Sequence, residues 1–228
     1  MSDVQTHPES FSQRVNFGNY DANLQFLSEA GVLSEGQRIL EIGTGRGALV
    51  KHLRSAGYDV VGVEINLAYV RDGEAMYGKL PITLIDSVVL PFRSEQFDVV
   101  ISFDVFEHIH DSDHHLEEVR RVLKSHGVYA LQTPNKWTNM VFETIRWKGL
   151  GWREDHCALH TREQLTNRLN RHGFDVAFFD IPVVNAYFKK KVGHYIPVVG
   201  PALLRVINPD KLPPSLRTNI YARATLRQ

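Results

Sequence analysis

From residue 38 to residue 135 the chain alternates short apolar runs with amphipathic stretches. The runs Arg38–Ile42, Asp59–Ile65, Ile82–Asp86, Phe97–Asp104 and Val128–Asn135 predict strands. Their Val, Ile and Leu content suits strands covered on both faces, as in a parallel sheet. Between them, helices are predicted over about Arg46–Ser55, Leu67–Met76 and Asp113–Lys124, with Gly57 and Gly127 punctuating the returns. An earlier helix is predicted from Phe17 to Val32, where Tyr20, Leu24, Leu27 and Val32 recur and Gly31 suits the end; it packs across the cleft that the strand ends form. Thr161, with Gln164 three residues on, reads as a capping box that opens a helix to about His172, where Gly173 stops it. A strand over Phe174–Val183 and an alternating last strand over Asn219–Leu226 complete an α/β pattern.

Two stretches fall outside this rhythm. Residues 136–160 are rich in aromatics (Trp137, Phe142, Trp147, Trp152) and are expected to be irregular, as a lid over a substrate. Residues 184–217 form an insertion in which Tyr187 and Phe188 precede Lys189, Lys190 and Lys191, and Pro201 suits the first position of a short helix. Apolar residues beside lysines fit either peripheral contact with an anionic membrane or an ordinary cover over the pocket. Residues 1–16 are polar and expected to be loose, and residues 1–35 together read as an N-terminal helical cover.

Composition narrows the class. The 228 residues, 43% hydrophobic and 23% charged, suit one globular domain spanning 1–228. The single cysteine, Cys157, excludes an internal disulfide and a cysteine-cluster zinc site, and it agrees with a reducing, cytoplasmic setting. The opening MSDVQTHPESFSQ has no basic region before an apolar core, so no signal peptide is expected. No apolar run reaches the ~18 residues of a membrane span. The net charge of zero hides an asymmetry: residues 184–228 hold eight Lys and Arg against one acid, Asp210. That polarity marks an interaction surface, and it places the cytoplasmic chain on or near the inner membrane face if the membrane reading holds.

The chemistry centres on Glu41-Ile42-Gly43-Thr44-Gly45-Arg46-Gly47, where a strand hands over to a helix. Such a handover is where open α/β sheets bind nucleoside cofactors. The dinucleotide fingerprint G-x-G-x-x-G would need its third small residue at Ala48, which is tolerated there. Glu41 argues against it, because a carboxylate beside the turn suits a cationic ligand and repels a pyrophosphate. Glu64, about 20 residues after the first glycine, stands where an acid accepts hydrogen bonds from ribose hydroxyls.

These residues resemble the first motif, E/D-x-G-x-G-x-G, of class I S-adenosylmethionine-dependent methyltransferases. Leu90-Pro91-Phe92 leading into Phe97-Asp98-Val99-Val100, then Arg121-Val122-Leu123-Lys124 with Gly127, and then Thr133-Pro134-Asn135 resemble later motifs of the family, especially its ubiquinone-pathway O-methyltransferase branch. The resemblance implies a Rossmann-like, seven-stranded, mostly parallel sheet with an antiparallel last strand and helices on both faces. It implies S-adenosyl-L-methionine as cofactor. It assigns Glu41, Gly43, Thr44, Gly45 and Gly47 to the turn, and Glu64 and Ile65 to the ribose side, with Asn66 and Leu67 packing along the adenosine. Asp86 and Ser87 fall to the adenine, and Phe103 and Asp104 to the methyl-transfer region. Asp98, at the far end of its strand, reads as structural.

Asp104-x-x-Glu107-His108, with Asp155-His156 in the lid, also resembles the E-x-x-E-H…H metal site of small-RNA 2′-O-methyltransferases, Asn139 and Thr161-Arg162 included. On that reading Asp104, Glu107, His108 and His156 hold Mg²⁺. Asp104 is one methylene shorter than the glutamate of that group, and Ala158-Leu159 replace its aromatics. The alternatives are His108 or His156 as general base beside Glu107, or structural roles for all of them. His160 is a substitute for His156. His110, His114 and His115 read as exposed.

The leading expectation is O-methylation of a small or amphipathic acceptor: a polyprenylated phenol, a lipid-linked sugar or a natural product. A 2′-O-methyltransferase of RNA ends is the second. It needs a continuous basic groove, and outside its C-terminal segment this chain is net acidic, so nucleic acid is not the expected partner. A cofactor-binding partner subunit without catalysis is the third.

Overall fold

The computed structural model describes residues 20–85, 89–154, 156–195, 198–206 and 208–227. Seven strands form one sheet: β1 (Arg38–Ile42), β2 (Asp59–Glu64), β3 (Ile82–Leu84), β4 (Phe97–Phe103), β5 (Leu123–Pro134), β6 (Phe174–Phe179) and β7 (Asn219–Leu226). Their order is β3-β2-β1-β4-β5-β7-β6. The first five are parallel, and β7 runs antiparallel between β5 and β6, as expected.

Period-two alternation sorts the strand residues onto two cores. Leu40, Val100 and Tyr129 point to one face, under helices α4 (Ser112–Val122) and α6 (Arg162–Arg171), which contribute Leu116, Val119, Leu165 and Leu169. Ile39, Val99 and Val128 point to the other, under α1 (Tyr20–Glu29) and α2 (Ala48–Ser55), which contribute Phe26, Leu27, Leu49 and Leu53. Burial on both faces explains why the strands read as apolar runs. The first helix packs on its sheet face, with Phe26 edge-on to Phe103 and Phe179. Helix α3 (Leu67–Tyr77) flanks β2 and β3.

Several boundaries differ from the sequence reading. The strand predicted from Val128 begins at Leu123, which already pairs with Phe97 across a register shift. The predicted strand Ile82–Asp86 closes at Leu84, and Phe174–Val183 closes at Phe179. Residues 136–147, expected to be irregular, form helix α5 (Lys136–Trp147). The insertion folds as two packed helices, α7 (Ala186–Tyr195) and α8 (Val199–Val206), with Pro201 third rather than first. Proline is harmless there, because amides of the first turn have no partner within the helix. The capping box is present: the Thr161 hydroxyl accepts from Gln164 N and the Gln164 side chain accepts from Thr161 N.

Because β1, β2, β4 and β5 are parallel, their C-terminal ends share one sheet edge. The glycine turn, Glu64, Asp104 and Asn135 all lie along it.

Candidate active site

After Ile42 the chain breaks out of β1, and the amides of Gly43 and Thr44 both reach Val63 O, at 2.9 and 3.2 Å. Gly43 has φ +73°, and a Cβ there would collide with Val105 Cγ2, so the exit of β4 is pressed against the turn. The Gly45 amide donates to Glu64 Oε2 at 2.6 Å, and Glu64 Oε1 accepts from Ile65 N (2.9 Å) and Asn66 N (2.8 Å). Three backbone amides thus hold one carboxylate beside the turn, each a charge-assisted bond of about twice ordinary strength. Ile65 lies next to it, 66% exposed.

Glu41 is buried at the end of β1, and its Oε2 has no hydrogen-bond partner. Burial first, and then the charge of Glu64, push its carboxyl well above the usual range. Thr44 Oγ1 and Tyr77 Oη are likewise buried without a hydrogen bond, and Tyr20 is near enough to feel the charge of Glu41. A buried polar atom left unpaired costs about 1–3 kcal/mol. A cluster of them around one turn is where a ligand brings the missing partners. These donors and acceptors fit the amino-acid end and ribose of a nucleoside sulfonium, and the carboxylates do not fit a pyrophosphate.

At the exit of β4, Asp104 adopts φ +53°, a conformation that costs a non-glycine residue about 1–3 kcal/mol and clusters at functional sites. Gln132 on β5 sustains it: Asp104 N donates to Gln132 Oε1 and Gln132 Nε2 donates to Asp104 Oδ1, both at 3.0 Å. A short 3-10 turn over Phe106–His108 follows. Glu107 is buried and accepts from Thr133 Oγ1 at 3.0 Å. Burial, then the nearby Asp104, push its carboxyl well above the usual range. The segment after α5 folds back here: Ala158 N donates to Glu107 O at 2.9 Å, and the His156 ring stands edge-on to His108, centroids 5.0 Å apart. His156 Nδ1 lies 3.0 Å from Asn139 Oδ1 on α5.

The Mg²⁺ reading of Asp104, Glu107, His108 and His156 finds no support in the described geometry. Among the described residues no three His, Cys, Asp or Glu side chains converge to hold an ion. The carboxyls are spent inward, Asp104 on Gln132 and Glu107 on Thr133, while His156 turns to Asn139. Asp155, Asp86 and Ser87 lie outside the described residues, and so do their expected roles. His160 is no substitute for His156: it is buried against Phe106, 5.4 Å between centroids, donates to Ala158 O, and burial lowers its pKa. His115, expected to be exposed, is fully buried, with Nε2 at 3.2 Å from Tyr129 Oη, which also meets Ser102 Oγ at 2.6 Å. His114 is half-buried, and His110 is exposed as expected. Asp98 is structural: it accepts from Arg38 N at 2.8 Å and pairs with Lys124. Sequence reasoning missed Gln132, Val105 and Thr133. A glutamine inside an apolar strand was the one visible signal.

Fold and site define a nucleoside-cofactor-binding α/β domain with an imidazole pair at the exit of β4. The chain belongs to the methyltransferase domain family, which its residues 12–177 match, and the cofactor of that family's enzymes is S-adenosylmethionine. It is 32% identical, over 145 residues, to a probable S-adenosylmethionine-dependent methyltransferase of Mycolicibacterium smegmatis, covering 62% of this chain and 53% of the relative. It is 27% identical, over 154 residues, to a ubiquinone biosynthesis O-methyltransferase of Sinorhizobium medicae, covering 63% of this chain and 62% of the relative. It therefore spans between half and two thirds of the length of these relatives. Among solved structures it resembles a chain of the complex between the Trm112 methyltransferase activator of Haloferax volcanii and a methyltransferase. There the TM-score is 0.72 at 18% identity, with 95% of this chain and 92% of that chain covered, a likeness of fold.

Proposed function

We propose that this chain transfers the methyl group of S-adenosylmethionine to a hydroxyl of a small or amphipathic acceptor, with His156 as general base. When bound, the cofactor supplies a methyl carbon made electrophilic by its sulfonium. Glu64 accepts from the ribose hydroxyls, the exposed face of Ile65 and Leu67 covers the adenosine, and Glu41 and Thr44 meet the amino-acid end. Phe103 and Asp104 border the methyl, and the glycines Gly43, Gly45 and Gly47 keep the approach open.

The observation that carries the choice of oxygen is the His108–His156 pair at the β4 exit. An alcohol or phenol must lose a proton as it is methylated. Asn139 Oδ1 can only accept, so His156 Nδ1 donates to it, and the ring's lone pair sits on Nε2. Glu107 Oε1 lies 3.9 Å from His108 Nε2, and burial raises that carboxyl well above its ordinary range, which favours its neutral form. Glu107 supports the pair without carrying the proton.

The test is S-adenosylhomocysteine release across matched phenols, alcohols and amines. Hydroxylated acceptors are expected to turn over, and His156→Ala to lower kcat/KM by about 10²–10⁴ with cofactor affinity unchanged. Turnover confined to amines, or full activity in His156→Ala, would discard the oxygen reading. In calorimetry S-adenosylmethionine should bind in preference to NAD, and Glu64→Ala should weaken it at least about tenfold.

A further inference from the structure

Helix α5 carries its polarity inside out. Its charged Glu143 is turned inward, 3% exposed, and held by Arg146 at 3.0 Å. Its large apolar residues are turned outward: Trp137 is 54% and Val141 63% exposed, and Ile145 continues the same i, i+4 stripe. Trp147 and Leu150 extend it. The charges around this stripe are Lys136, Arg146, Lys148 and Arg153, and Glu154 is the one exposed carboxylate between residues 136 and 154.

The α7–α8 pair repeats the combination. Val198 and Val206 are each 84% exposed, and Val199 shares a helix face with Val206, seven residues on. Lys189 and Lys190 stand exposed on the packed partner helix. The one acid of residues 184–217, Asp210, is consumed by the amides of Val183 and Val184.

Topology brings both patches to the active-site edge. Helix α5 leaves the C-terminal end of β5, and the α7–α8 pair follows that of β6. Asn135 Nδ2 and Thr138 Oγ1 tie the root of α5 to the chain entering β7, through Ser215 O and Arg217 O, both at 3.1 Å.

We infer that this edge docks on an anionic bilayer surface. Exposed tryptophans and valines flanked by basic side chains are what an interfacial contact needs: apolar groups enter the headgroup boundary and cations meet the lipid charge. No described helix is long and apolar enough to cross a membrane, so the contact lies in the interface plane. A second copy would set one cationic patch against another, which costs association. The inference rests on surface residues alone and stands whether the methyl goes to oxygen or elsewhere. Its consequence is that an acceptor with a lipid tail reaches the site without leaving the membrane.

The test is co-sedimentation of the full chain with phosphatidylcholine vesicles and with mixed phosphatidylcholine–phosphatidylserine vesicles. Binding is expected to need the anionic lipid and to fall with salt. Lys189→Gln with Lys190→Gln should weaken it by about tenfold or more. Trp137→Ser with Val141→Ser should weaken it by a similar factor. Calorimetric affinity for S-adenosylmethionine, unchanged in both pairs, shows that the fold is kept. Equal binding to both vesicle types, binding to neither, or variants that bind as the parent does would overturn the inference. So would a concentration-dependent dimer dissolved by Trp137→Ser, which assigns the face to a second copy. A parent chain that binds vesicles but not S-adenosylmethionine would overturn the methyltransferase reading and leave this one standing.

Discussion

Gly43→Ala tests how closely the two halves of the site are pressed together. The residue sits at φ +73°, and an added Cβ would run into Val105 Cγ2, with Val105 Cβ and Cγ1 at 3.5 and 3.6 Å behind it. A left-handed backbone at alanine costs about 1–2 kcal/mol. Forcing a methyl group into a packed contact costs about 1–3 kcal/mol more. The sum, about 2–5 kcal/mol, is a large part of the stability of an ordinary domain. The parts separate in a double-mutant cycle. In a Val105→Ala background the colliding methyl is gone, so Gly43→Ala should cost only the backbone part, about 1–2 kcal/mol. The coupling between the sites should then be about 1–3 kcal/mol. Urea unfolding followed by tryptophan fluorescence reads all four variants. If Gly43→Ala costs the same in both backgrounds to within ~0.5 kcal/mol, the close approach of the β4 exit is not what demands glycine. A cost below that in the parent background would refute the backbone argument as well.

Other consequences are open to measurement. Glu41 and Glu107 have folded-state pKa values raised above their ordinary ones, so folding takes up protons once pH exceeds the ordinary carboxylate range. Stability from these groups is complete below about pH 4.5 and is lost as pH rises toward the folded-state values. Glu107→Gln should flatten that fall in urea midpoint, and an unchanged slope would mean that the carboxyl is ionised. Gly73→Ala places a methyl against Arg46 O, a backbone atom that cannot swing away. The gain of about 1 kcal/mol in helix propensity is expected to lose to this clash, and a more stable variant would show that α3 shifts freely. Because the donors at the β4 exit are spent on Gln132, Thr133 and Asn139, EDTA should leave turnover unchanged. Loss with EDTA and recovery with Mg²⁺ would reinstate a metal. Asn139→Ala frees the His156 tautomer and should lower kcat by about tenfold while sparing KM for the cofactor; equal kcat would remove Asn139 from the mechanism.

The site is built by economy at one sheet edge. On the proposed reading, the Glu64 carboxylate that fixes the glycine turn through three backbone amides also accepts from the ribose. Asp104 holds a costly backbone conformation because Gln132 satisfies both its amide and its carboxyl, and that conformation turns the chain into the Glu107–His108 segment. The segment after α5 adds His156 from 48 residues downstream of His108 by stitching Ala158 N to Glu107 O.

Local rules were enough for the strand and helix pattern, the capping box at Thr161, and the turn at Gly43–Gly47 with Glu64 opposite. Each depends on residues a few positions apart, or on alternation that both cores later enforce. The misreadings share one cause, because each concerns which way a group faces or which partner it takes once the chain is packed. Helix α5 did not read as a helix that covers a core because its apolar stripe faces outward and Glu143 faces inward. His115 looked like a surface residue because its partner, Tyr129, comes from a different element. Of the residues that spell a metal motif, Asp104, Glu107 and His156 turn to Gln132, Thr133 and Asn139, and only tertiary packing brings those into range. Spacing along a chain tells which side chains can share an edge. Which partner each one takes there is settled by the competition among all the groups that the fold has gathered.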